Sequence, residues 1–65
     1  MILSGAKGKL LKIDTEAKTV TVHKHTGVQD FGYDKNFDAE KYTPLVGSIV
    51  NIELCDFMVI GITKE

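Results

Sequence analysis

Two histidines, His23 and His25, stand two residues apart in VTVHKHTGVQDFGYD, residues 20–34, and no other stretch looks more like chemistry. On an extended strand they fall on one face, ~6.5–7 Å apart along it, a spacing at which two imidazoles can share a metal ion. A third ligand is on offer in Asp30, if the chain folds back as a hairpin. Two histidines and a carboxylate with open positions suit zinc or another first-row divalent ion. The plainer reading is a solvated hairpin face on which a His23–Asp30 contact contributes a few tenths of a kcal/mol, about 0.2–1 at most.

Other reactive groups are sparse. Cys55 is the single cysteine, so no disulfide forms within the chain, and a lone thiol fits a reducing compartment. It has no motif around it and no base in evident reach, which makes a nucleophile improbable on sequence grounds. No carboxylate pair has a spacing that compels acid–base work. Gly5 and Gly8 come before a strand and not a helix, so they make no phosphate loop. The expectation is a protein that is not an enzyme and that carries no cofactor.

The net charge is −1, but residues 1–26 hold Lys7, Lys9, Lys12, Lys18 and Lys24 against Asp14 and Glu16. The remainder is acidic. These five lysines are the candidate contacts to nucleic acid. All eight cationic residues are lysine and there is no tryptophan. The bidentate fork of arginine and the largest stacking ring are therefore missing, and base-specific reading is disfavoured.

The elements that must position these groups are short and β-like. Sixty-five residues make one small domain, residues 1–65. GKLLKID reads as a first strand, with the Leu10-Leu11 doublet marking a bulge. TVTVHKH alternates, with Val20 and Val22 inward and Thr19, Thr21, His23 and His25 outward. A tip at Thr26-Gly27 sets Val22 against Phe31, Val20 against Tyr33 and His23 against Asp30. A four-residue loop of the same parity is equally acceptable. NFDAEKYTPLVG reads as a short helix capped by Asn36 or Asp38, with Phe37 and Tyr42 inward and Pro44 beyond its end. SIVNIEL turns Val50, Ile52 and Leu54 inward, and FMVIGIT closes the chain as a fifth strand.

Three strands, a short helix and two strands are the order of an all-β, five-stranded OB-like barrel, with an SH3-like barrel as the alternative. The GKLLKIDTEAKTVTV and TPLVGSIVNIEL segments, followed by a short apolar last strand, resemble the minimal OB barrels typified by the CusF-like periplasmic copper and silver chaperones. The shared pattern is a G-x-hydrophobic-x-x-I-D opening, a T-hydrophobic-T-hydrophobic second strand and a late L-x-x-G-x-x-V segment. The resemblance implies the barrel. It carries over no ligand set, since no methionine pair lies near the histidines.

The final strand poses a different question. LCDFMVIGI is apolar on both faces under strict alternation, with Met58, Ile60 and Ile62 on one and Phe57 and Val59 on the other. A small barrel has one inside. Phe57 and Val59, with Ile2 and Leu3, are therefore the expected contact surface for a protein partner or a second copy. Lysine-rich opening residues do not make a signal peptide's apolar core, no run reaches membrane-spanning length, and a cytoplasmic location is expected. The leading functional expectation is a small binding or adaptor protein, with single-stranded nucleic acid and then metal as alternatives.

Overall fold

A computed structural model describes residues 1–65 as an all-β chain with one short helix. The strands are β1 (Leu3–Asp14), β2 (Thr19–Lys24), β3 (Gly27–Gly32), β4 (Ile49–Cys55) and β5 (Met58–Lys64). A 3-10 helix, η1 (Ala39–Leu45), joins β3 to β4. All five strands belong to one sheet that closes in a ring, in the order β1-β2-β3-β5-β4 and back to β1. Every junction is antiparallel except the last: β3 and β5 run parallel and pair only at Gly32 and Met58.

β1 serves two neighbours. Residues Leu3 to Lys9 pair with β4, and Lys9 to Asp14 pair with β2, so Lys9 stands opposite both Ile49 and His23. The strand begins at Leu3, five residues before the expected start. Gly5 and Gly8 hide this half, because glycine has little intrinsic strand preference. At the changeover the chain must bend, and the register shifts between Leu10 and Lys12. The Leu10-Leu11 doublet is thus a bulge: Leu10 is fully buried while Leu11 turns to solvent. Leu10 also bonds to the chain entering β4, donating to Ser48 O and accepting from Gly47 N.

Inside the ring, Leu10, Val20, Val22, Phe31, Tyr33, Val50, Ile52, Leu54, Val59 and Ile62 pack as one core with Ala39 of η1. The inward residues of β2, β3 and β4 match the alternation of the sequence, because period two leaves each strand only two choices of face. Tyr33, Phe37 and Tyr42 form an aromatic run beside this core, with ring centroids 5.1 and 5.2 Å apart. The helix differs from its expected form. It is a 3-10 helix, Asp38 precedes it without a side-chain cap, and Pro44 lies inside it. Seven residues with i→i+3 bonding tolerate a missing N–H better than a longer α-helix would.

The β2–β3 hairpin keeps the expected parity but slides by two residues. Lys24 pairs with Gly27 around a His25-Thr26 tip, so Val20 faces Phe31, Thr21 faces Asp30 and His23 faces Val28. Glycine at position 27, with φ of 124°, supplies the backbone conformation that this tip requires. Thr21, expected outward and wet, is buried and donates its hydroxyl hydrogen to Asp30 Oδ1 at 2.6 Å. Asp30 therefore serves Thr21 and not His23.

The β1–β2 turn is held by Asp14, whose Oδ1 accepts from the backbone N–H groups of Glu16 and Ala17, each at 3.0 Å. These bonds, Ala17 first and Glu16 second, hold the Asp14 carboxyl below its usual value; slight burial opposes them and the Lys12 charge assists. The folded state favours the carboxylate, so this contribution is present above the unfolded value of about 3.9. It is lost as pH falls through the lower folded value. In Asp14→Asn the amide oxygen accepts the same bonds but does not titrate. Acid unfolding followed by circular dichroism is expected to show a flatter dependence on pH in that variant below pH ~4; identical acid limbs would exclude this role.

Candidate functional site

The fold gathers the chain's exposed functional groups at two places. The first is the end of the ring where β4 turns into β5. Cys55 pairs with Met58 across a two-residue turn, Asp56-Phe57, and both turn residues have positive φ, 51° and 67°. This is the geometry of a type I′ hairpin, in which Asn-Gly is favoured. Ile2 is tied to the turn by two bonds: its N–H donates to Asp56 Oδ1 at 2.8 Å, and its carbonyl accepts from Asp56 N at 2.7 Å. Leu3 pairs with Cys55, and Cys55 with Met58, so the three side chains form one outward row. Ile2, Leu3 and Phe57 are all exposed, Phe57 at 68%.

Val59 is not part of that surface. It is 1% exposed and sits in the core, contrary to its expected place beside Phe57. The cause is a bulge: Glu53 pairs with Gly61 but Leu54 pairs with Val59, which leaves Ile60 as an extra residue. Alternation is reset there, so Val59 and Ile62 both point inward while Ile60 stays out at 53% exposure. Two consecutive apolar faces are thus reconciled with a single interior. Cys55 and Met58 complete the apolar end, and neither was marked by its neighbours in sequence.

The second place is a groove of about 620 Å³ between the first half of β1 and the tip of the β2–β3 hairpin. Lys7, Lys9, Lys24, His23 and His25 line it, and no acidic residue does. Gly8 makes the close approach possible. A Cβ there would stand 2.6 Å from His23 O and 2.7 Å from Val22 Cγ1, so a side chain has no room. Lys9 and His23 are directly opposite across β1 and β2. Lys24 extends over the Phe31 ring, its Nζ 5.9 Å from the centroid. Lys7 pairs with Glu65 at 2.7 Å, an exposed contact of small worth, about 0–1 kcal/mol.

The five lysines singled out for nucleic acid are therefore divided. Lys7, Lys9 and Lys24 meet in the groove, while Lys12 faces Thr21 and Lys18 lies beside the Tyr33–Phe37 surface. Phe31 and Tyr33 are buried and offer no platform for bases. His23 and His25 share the groove, but Asp30 lies opposite Thr21, and no three His, Cys, Asp or Glu side chains come together as a metal cluster. Cys55 stands at the other end, away from both imidazoles. No helix is long and apolar enough to cross a membrane. No family model matches the chain, and neither the curated proteins nor the solved structures yield a match, so the two surfaces stand on their own geometry.

Proposed function

We propose that the protein is a non-catalytic binding module with an OB-like barrel, acting through protein contacts at the Ile2–Leu3–Phe57 end. The barrel assignment draws on the strand order β1-β2-β3-β5-β4 with a helix between β3 and β4. The functional reading rests on Phe57. A bulky residue with φ of 67° is a conformational outlier. The left-handed region costs a residue with a Cβ roughly 1–2 kcal/mol. The ring recovers little of this by burial, since most of it is in water. An exposed aromatic held where glycine fits better is the pattern of a residue kept for contact.

Two properties can then be separated by one substitution. Phe57→Gly removes the ring and relieves the backbone, so stability by urea unfolding should stay level or rise by up to ~1 kcal/mol. Association should fall. Sedimentation equilibrium over a concentration series, with affinity capture alongside, is expected to show the unsubstituted chain self-associating or retaining a protein that Phe57→Gly releases. A strictly monomeric chain that retains nothing more than the variant does would end this reading.

A further inference from the structure

We infer that the groove between β1 and the β2–β3 tip is a binding site for phosphate oxyanions. The site is independent of the apolar end, since it draws on Lys7 and Lys9 of β1 and on the far end of the first hairpin.

Two observations carry the inference. First, Lys7, Lys9, Lys24, His23 and His25 line one concave space and no acidic residue lines it. Lys7 is paired with Glu65 at 2.7 Å, which leaves Lys9 and Lys24 as the ammonium groups without a carboxylate partner. Second, Lys9 and His23 stand opposite one another across β1 and β2, so an ammonium and an imidazole can reach one anion together.

The lining also limits the ligand. It holds no aromatic ring and no arginine, so it has nothing with which to stack a base or clamp one edge-on. What it can recognise is the charge of phosphate groups, whether on a polyphosphate or along a nucleic-acid backbone. The charged groups around the imidazoles are Lys9 and Lys7 from β1, Lys24 within the hairpin, and Glu65, which pairs with Lys7 and bonds through its backbone to Ile49.

The test uses the full chain at low salt, with inorganic tripolyphosphate as probe and a ten-residue oligothymidylate as the second arm. Amide shifts are followed by NMR and affinities by calorimetry. Tripolyphosphate is expected to shift the amides of residues 5–9 and 23–26. Lys9→Gln with Lys24→Gln should weaken binding about fivefold or more, and added salt should weaken it in the parent chain. If affinity grows with oligothymidylate length beyond that for tripolyphosphate, the phosphate source is a nucleic-acid backbone; if not, it is a small polyphosphate. Absence of shifts, shifts confined to Lys12, Lys18 or Lys41, or binding undiminished in Lys9→Gln with Lys24→Gln would overturn the proposal.

Discussion

Gly8→Ala is expected to lose up to about 3 kcal/mol of stability, as read by urea unfolding followed by circular dichroism. The added Cβ would stand 2.6 Å from His23 O and 3.0 Å from His23 C, and both obstacles are backbone. A flexible side chain could rotate aside, but a paired strand cannot without breaking the β1–β2 ladder. Overpacking of a fitted interior costs about 1–3 kcal/mol and occasionally more. A core of this size supplies only ~3–5 kcal/mol of net stability, so the upper part of that range removes most of that margin. Gly32→Ala is the matched control. Its Cβ would meet the Met58 thioether at 3.5 Å, an ordinary contact with a movable group, and it should remain folded. Cooperative unfolding of Gly8→Ala at the same denaturant concentration as the parent would disprove the close approach on which the groove depends.

Ile62→Ala and Ile60→Ala should differ by several kcal/mol although they lie two residues apart on one strand. Ile62 is 4% exposed and packs in the core; Ile60 is 53% exposed. Truncating a buried isoleucine costs about 2–5 kcal/mol, whereas a surface change stays within about ±0.5. Under unbroken alternation both residues would share a face and the two variants would behave alike. Urea unfolding thus reads the bulge directly: equal midpoints for the two variants would place Ile60 and Ile62 on the same side and return Val59 to the surface.

This bulge marks a boundary of what alternation can convey. The inward set Val20, Val22, Phe31, Tyr33, Val50, Ile52 and Leu54 was legible because each of those strands must present one apolar face to the core. The Leu10-Leu11 bulge was legible too, since two adjacent leucines cannot both point inward on a regular strand. At β5 every candidate was apolar, so pattern alone could not say which residue was extra. The hairpin register was lost for a related reason. A slide of two residues leaves every side chain on its own face, and the hydrophobic pattern is blind to it, yet it moves Asp30 from His23 to Thr21. The groove was illegible for a third reason. It forms only when the glycine-containing half of β1 comes against the hairpin tip, and Gly5 and Gly8 give no apolar signal. Of the candidates at the apolar end, Ile2 is tied to the Asp56-Phe57 turn by its bonds with Asp56 and Leu3 pairs with Cys55, while Val59 belongs to the interior.

The single Gly32–Met58 pair that joins β3 to β5 has one more consequence. Full closure would leave no peptide group open to an invading strand, but here β3 and β5 diverge beyond that pair and keep two short rims with unused donors and acceptors. Both rims are guarded: an exposed carboxylate, Asp30, stands on one, and the other is kinked at Ile60. Charge and kinks of this sort discourage edge-to-edge aggregation. Strand pairing with another chain is thereby disfavoured at both rims.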